Sequence, residues 1–197
     1  MKYLIFIYIG LLLSCSNKQK EKYESVAEKG PDTLYQSTSN IVYKDVKFGI
    51  SKNEYEKSVP TYLNQIGNTK YMLDPVFNDN DSLVCLSFTS IDKTANFVDT
   101  EVKDDMNNLK RVIESKYSLP QINFGEINFL DFKPNNIQWK YGWKLYTKMV
   151  LIGMIESRNG KTYSAVMWIY DKPSYERYRN NKEEKATENY SKESSDF

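Results

Sequence analysis

Histidine is absent from this 197-residue chain. Histidine is the usual general base near neutral pH and a common zinc ligand, so its absence argues against histidine-dependent hydrolases and zinc sites. The chain has only 2 cysteines, and its 27 basic residues are balanced by 26 acidic residues, which leaves a formal net charge of +1. We therefore expect neither an internal disulfide nor nucleic acid as a partner.

Motifs that carry common chemistry are also missing. The sequence contains no glycine-rich phosphate loop, no G-x-S-x-G, no C-x-x-C and no H-E-x-x-H pattern. These patterns mark nucleotide, acyl-transfer, redox and metalloprotease sites respectively. We therefore expect no cofactor, no metal site and no catalytic residues, and we predict that the chain is not an enzyme.

The longest apolar run lies at the N-terminus. Lys2 precedes a run from Leu4 to Leu13, which stops at Ser14. A charged start, a short apolar middle and a small residue before a cleavage site are typical of a secretory signal peptide. A membrane-spanning helix needs about 20 apolar residues, so this run is too short to cross a bilayer. We predict a signal peptide over residues 1–14.

The end of this run, Leu12-Leu13-Ser14-Cys15, resembles the lipobox of bacterial lipoproteins. The resemblance implies cleavage before Cys15 and acylation of the new N-terminal cysteine, with chains such as palmitate. Two or more acyl chains anchor a protein stably to a membrane, which would be a partner of the chain. Acidic sorting residues for surface display would follow the cysteine, and Ser16-Asn17-Lys18 stands there instead. This favours a cell-envelope location on the outer membrane, facing the periplasm.

Four regions follow from the composition. After the signal peptide, residues 15–40 are polar and include a Gly30-Pro31 break, so we predict a lipidated cysteine followed by a flexible tether. Residues 41–180 alternate between strand and helix patterns and predict one domain. Residues 181–197 are charged and polar, and we predict that this tail is disordered.

The domain patterns predict an α+β fold. A capping box at Ser51 and Glu54 marks a short helix, and apolar residues at helical spacing mark a longer one over Thr100–Tyr117. An Asn159-Gly160 turn predicts a hairpin that sets Leu151 opposite Trp168, with both faces apolar and thus central in the sheet. We predict an antiparallel sheet of about six strands with two main helices packed on one face.

Two further patterns have a structural and a chemical interpretation. The run Asn78-Asp79-Asn80-Asp81 suggests calcium, but the glycine and glutamate of an EF-hand loop are missing at the required positions, so a hairpin turn is favoured. Cys85 lies in an apolar run, which favours a small buried side chain over a reactive thiol.

The candidate binding residues lie in the run Trp139-Lys140-Tyr141-Gly142-Trp143-Lys144. Strict alternation places Trp139, Tyr141 and Trp143 on one face of a strand and the lysines on the other. Packing of these rings on the core is the simpler interpretation. The alternative is a stacking platform for a sugar ring or a peptide, because Trp and Tyr offer flat faces with a polar end.

One segment of the domain resembles a known group. Phe48-Gly49-Ile50-Ser51, which opens a capped helix followed by strands, is similar to the SmpA/OmlA and β-lactamase-inhibitor-protein-like envelope lipoproteins. The resemblance implies a small domain of helices on an antiparallel sheet that binds other envelope proteins. The expected function is therefore a membrane-anchored lipoprotein that binds a partner protein or a cell-wall glycan. The alternative is a histidine-free envelope hydrolase that uses carboxylates.

Overall fold

The computed structural model describes residues 33–59 and 63–194, so Cys15 and the predicted signal peptide lie outside the described residues. Within these ranges the chain forms ten strands and three α-helices. The strands are β1 (Ile41–Tyr43), β2 (Val46–Lys47), β3 (Leu63–Ile66), β4 (Thr69–Phe77), β5 (Leu83–Ser90), β6 (Lys93–Thr94), β7 (Ile122–Asn123), β8 (Ile137–Leu145), β9 (Lys148–Glu156) and β10 (Thr162–Asp171). The helices are α1 (Lys52–Ser58), α2 (Lys103–Tyr117) and α3 (Lys172–Ser194).

Eight of the described strands form one sheet. Seven of them follow the order β3-β4-β5-β10-β9-β8-β7, and β6 pairs separately with β10. The pairs are antiparallel. The mixed α and β composition and the antiparallel sheet are confirmed, whereas the predicted numbers of strands, about six, and of main helices, two, were too low. Strand β3, which was not predicted from the sequence, pairs with β4 across the Gly67 turn.

The central hairpin is confirmed in its register. Leu151 pairs with Trp168 and Val150 with Ile169 between β9 and β10, and both strands have neighbours on their other sides. Gly160 adopts a φ of 68° in the connecting loop, a conformation that glycine reaches without steric cost. The two longest strand patterns of the sequence therefore lie in the middle of the sheet.

Helix α2 and the preceding π-helical turn, Val98–Val102, cover one face of the sheet, here called the α2 face. The apolar side chains at helical spacing, among them Val102, Leu109 and Ile113, belong to the main core cluster. They pack on alternate residues of the central strands, such as Ile152 and Met167. The predicted amphipathic helix and its end at Tyr117 are thus confirmed, but its first residues belong to the π-helical turn Val98–Val102, and the α-helix begins at Lys103.

Helix α1 begins at the predicted capping box. The Ser51 hydroxyl accepts a hydrogen bond from the Glu54 N–H, and a Glu54 carboxylate oxygen accepts one from the Ser51 N–H at 2.8 Å. Tyr55 is the buried residue of this helix and contacts the Phe77 ring at 5.9 Å between ring centroids. Both helices predicted as principal elements therefore contribute to the same core cluster.

The first predicted strand is divided in the structure. The β-branched and aromatic residues from Ile41 to Phe48 predict one strand. In the structure the chain turns at Lys44, where φ is 50°, and β1 pairs with β2 as a separate two-stranded ribbon. The chain before this ribbon also differs from the prediction. A 3₁₀ helix spans Thr33–Thr38, and Tyr35 lies edge-on against Tyr117 at 5.4 Å. The predicted tether up to residue 40 was therefore too long.

Two further elements depart from the predictions. The isoleucine and phenylalanine residues between 122 and 132 predict one or two strands, but the structure has the short β7 there, followed by a loop with a 3₁₀ turn over Phe129–Asp131. At the other end, the tail predicted to be disordered from residue 181 continues α3 as far as Ser194. Glu and Lys favour helix even without an apolar face, and pairs such as Arg179 with Glu183, at 3.7 Å, support it.

The Asn/Asp cluster forms the β4–β5 turn, as predicted. The Asn78 side-chain oxygen accepts hydrogen bonds from the N–H groups of Asn80 and Ser82, both at 3.0 Å. Asp81 adopts a φ of 56°, which Asp tolerates. Cys85, which follows this turn, is buried, as expected. None of the helices in the described ranges is long and apolar enough to cross a membrane.

Candidate functional site

A β-bulge at Lys140 determines where the predicted binding residues lie. Trp139 pairs with Gly153 and Tyr141 pairs with Ile152, which are adjacent on β9. Lys140 is therefore an extra residue on β8 without a partner in the pairing register. Gly153 permits this close approach, because a Cβ atom there would lie 2.1 Å from the carbonyl oxygen of Gln138. A one-residue slip reverses the faces of a strand. The bulge therefore places Trp139 on the opposite face of the sheet from Tyr141 and Trp143.

Tyr141 and Trp143 lie on the α2 face. The Trp143 side chain is fully buried, and its indole N–H donates a hydrogen bond of 3.0 Å to the Ser118 carbonyl oxygen. Tyr141 packs beside Trp143, with the Lys110 ammonium 5.1 Å from its ring centroid. The expectation of a three-residue stacking platform is corrected: a fully buried indole cannot stack on a ligand, and Trp139 lies elsewhere.

Trp139 instead belongs to a row of aromatic side chains on the opposite face, here called the α3 face. It lies edge-on against Trp168 at 5.4 Å, and Trp168 lies edge-on against Tyr175 at 5.9 Å. Tyr175 also contacts Tyr170 at 5.0 Å and Tyr178 at 6.1 Å. All five side chains are partly exposed. We call this set the aromatic row: Trp139, Trp168, Tyr170, Tyr175 and Tyr178.

The local sequence explains how the row is assembled. Trp168 and Tyr170 are two residues apart on β10 and so share a face. Asp171 ends the strand and accepts a hydrogen bond of 3.2 Å from the Ser174 N–H, which directs α3 back over the sheet. Tyr175 and Tyr178 are three residues apart on that helix and therefore lie on one side of it. Trp168, Tyr170, Tyr175 and Tyr178 were not predicted as binding residues, although the spacing of the tyrosines in the sequence was a usable signal.

Burial alters the acidity of the tyrosines in the row. It raises the pKa of both Tyr170 and Tyr175 to about 12, with the carboxylate of Glu176 adding to the effect on Tyr170. Burial also raises the pKa of the neighbouring Cys85 thiol, so this cysteine stays protonated at neutral pH. Tyr170 and Tyr175 are therefore uncharged at neutral pH and offer rings and hydroxyl groups rather than ions.

The raised tyrosine pKa values predict a loss of stability in alkali. Tyr55 also has a pKa of about 12, again because of burial. Unfolded tyrosine ionises near pH 10, so the unfolded chain binds fewer protons than the folded chain between pH 10 and 12. Each such tyrosine then costs up to about 2–3 kcal/mol of stability as pH rises through this window. The pKa of Lys148 is lowered, mainly by burial, so the contribution of this residue to the folding stability increases with pH instead. That increase occurs only below about pH 10.4, the usual pKa of lysine.

Chemical denaturation at several pH values between 8 and 12, with tyrosinate absorbance followed in parallel, measures this effect. The double variant Tyr170→Phe/Tyr175→Phe keeps the rings and should show a shallower decline than the wild-type protein. A folding free energy that stays level up to pH 12 would contradict the assigned burial.

A depression beside β8 contains carboxylates and is relevant to the hydrolase alternative. It lies between the start of α2 and β8, encloses about 260 Å³, and is lined in part by Asp99, Glu126 and Tyr141. Glu126 forms an ion pair of 2.5 Å with Lys140, which lowers the pKa of this carboxyl group. A glycoside-cleaving pair needs one carboxylic acid with a raised pKa. Glu126 has the opposite property, so this depression does not favour the hydrolase.

The described residues contain no group of three or more Cys, Asp or Glu side chains placed to hold a metal ion. No protein-family model, no curated protein and no solved structure matches the chain.

Proposed function

We propose that this chain is a lipid-anchored lipoprotein of the bacterial cell envelope, held to the outer membrane through Cys15 and facing the periplasm. Its domain binds a partner protein or a cell-wall glycan and carries out no catalysis. The observation that supports the binding function is the aromatic row, a continuous set of partly exposed tryptophan and tyrosine side chains on the α3 face.

The composition of the row fits recognition. Tryptophan and tyrosine are enriched among the residues that contribute most to binding energy at interfaces. Their rings stack on sugar or peptide groups, and their polar ends form hydrogen bonds. Structural packing accounts for Tyr175, which packs α3 against Trp168 of β10. It does not account for Trp139, which lies on β8 at the end of the row farthest from the helix. An aromatic side chain of that size, left partly exposed beside another tryptophan, is better explained by a ligand.

The N-terminal features support the location. The resemblance of Leu12-Leu13-Ser14-Cys15 to a lipobox and the polar segment after Cys15 together fit a folded domain connected to a membrane-bound lipid. The described domain begins at Thr33, eighteen positions after Cys15. A domain held in this way can reach partners in the membrane and in the adjacent cell wall.

The binding function is tested with the variant Trp139→Ala/Tyr178→Ala, which shortens the row at both ends. We expect the wild-type protein to co-sediment with purified cell-wall sacculi or to be cross-linked to one envelope protein, and the variant to lose at least about tenfold in affinity. The control is Phe97→Ala/Leu119→Ala, which removes exposed apolar side chains that are not part of the row. Equal binding by both variants, with both folded, would contradict a role for the aromatic row.

A further inference from the structure

The structure contains a second pocket, on the α2 face, that the proposed binding function does not use. It lies between the β1–β2 ribbon, helix α2 and the central strands and has a volume of about 140 Å³. Its walls are mainly aliphatic, with Leu109 and Ile113 from the helix and Val150, Met167 and Ile169 from the sheet. An apolar cavity of about 150 Å³ accommodates a group the size of benzene.

The charged groups of this pocket are all of one sign. Lys44, Lys116 and Lys148 line it, and no acidic side chain is among the described lining residues. We call it the lysine pocket. Lys44 and Lys116 are exposed at its edge, whereas Lys148 is almost completely buried. Three ammonium groups around an apolar space give an electropositive site with no internal counter-ion.

The buried Lys148 ammonium has only neutral hydrogen-bond partners among the described residues. Its ammonium donates hydrogen bonds to the carbonyl oxygens of Thr38 and Ile41, at 2.9 and 3.0 Å, and to the Tyr117 hydroxyl at 3.1 Å. These three acceptors are neutral, and burial together with the nearby Lys116 lowers the Lys148 pKa. An anion at the pocket edge would relieve the repulsion between the lysines, because opposite charges within a few ångströms favour the ionised form.

We propose that the lysine pocket binds a medium-chain carboxylate, with the aliphatic tail inside and the carboxylate between Lys44 and Lys116 at the edge. The volume sets the length of the tail at about six to seven carbons. The aliphatic walls exclude a fully polar anion such as inorganic phosphate, and the three lysines exclude an amphipathic cation. This ligand is distinct from any partner of the aromatic row, which lies on the opposite face of the sheet.

Octanoate is the probe, with octylammonium as a ligand of equal tail length and opposite charge and octanol as a neutral one. Titration calorimetry on the complete mature protein gives affinities, and the methyl resonance of Met167 reports whether the tail enters the pocket. We expect saturable binding of octanoate at millimolar concentration or below, a shifted Met167 signal, and weaker binding of octanol. Octylammonium is expected not to bind.

Three variants separate the contributions of charge and space. Lys44→Asn/Lys116→Gln should weaken octanoate binding about tenfold and leave the affinity for octanol unchanged. Asparagine is chosen at position 44 because it tolerates the left-handed backbone conformation there. Val112→Phe, at a half-exposed lining residue, should fill the pocket and abolish binding of both ligands. Lys133→Gln/Lys161→Gln, at exposed lysines outside the pocket, is the charge control and should bind like the wild-type protein.

The proposal is overturned by any of three results with folded protein: no octanoate binding, equal binding of octylammonium, or binding that leaves the Met167 signal unmoved. Each of these results would leave the function of the aromatic row untouched, since the two sites are tested with different ligands and different variants.

Discussion

Replacement of Ile152 by aspartate is expected to unfold the domain. Ile152 lies in the middle of β9, is fully buried, and faces α2 within the main core cluster. The change removes about 1.5–3 kcal/mol of apolar burial and places a carboxyl group where it has no partner, which costs several kcal/mol more. The sum is about as large as the total stability of a typical domain, about 5–15 kcal/mol.

Circular dichroism and thermal melting measure this effect. Met72→Asp is the matched control, because Met72 lies on β4 of the same sheet but is 37% exposed. The control should melt within a few degrees of the wild-type protein, as expected for a surface substitution of about 0.5 kcal/mol. A folded Ile152→Asp protein with an unchanged melting temperature would mean that the central hairpin does not lie where the register places it.

Replacement of Cys15 by alanine is expected to move the whole protein from the membrane to the aqueous envelope fraction. The proposed anchor is the lipid on this sulfur, and acyl chains contribute about 0.8 kcal/mol for each buried methylene group. Alanine cannot be acylated in this way, so essentially all of the membrane affinity should be lost. The net charge of +1 for the chain offers no strong electrostatic attraction to replace it.

Fractionation of cells that express the variant, with a wash at high salt, measures the change. Ser16→Ala is the control, because it alters the adjacent position and leaves the cysteine in place. Its product should remain with the membrane. A Cys15→Ala protein that stays in the membrane fraction after the salt wash would mean that another part of the chain forms the attachment.

Elements with a strong local pattern were predicted well from the sequence. The stripe of apolar residues along α2 and the Asn-Gly turn between β9 and β10 are encoded by neighbouring residues, and the predicted pairing of Leu151 with Trp168 is the observed one. The capping box of α1 is equally local. Periodicity and turn chemistry therefore account for the central hairpin and for the two helices that contribute to the core.

The candidate site was predicted less well, because its geometry depends on contacts between distant residues. The run from Trp139 to Trp143 alternates without interruption, and nothing within it indicates a bulge at Lys140. The bulge is accommodated by Gly153 on the neighbouring strand, which a reading of β8 alone does not consider. As a result, Trp139 was wrongly predicted to share a face of the sheet with Tyr141 and Trp143.

The tail and the buried lysine show two other limits of sequence reasoning. Most residues after Tyr178 are charged or polar, so the composition favoured disorder over a helix. Lys148 stands next to an apolar strand and resembles a solvent-exposed turn residue in the sequence. Its burial depends on carbonyl groups of Thr38 and Ile41, more than a hundred residues earlier in the chain, and such a partnership has no local signal.

Mass spectrometry of the mature N-terminus tests the central claim, that this domain is a lipid-anchored protein of the cell envelope, most directly. We predict that the first residue of the mature chain is Cys15 and that its mass includes covalently bound acyl chains. An N-terminus at Met1, or a Cys15 with a free thiol, would contradict the anchor and the cellular location, and with them the setting in which the aromatic row is proposed to bind its partner.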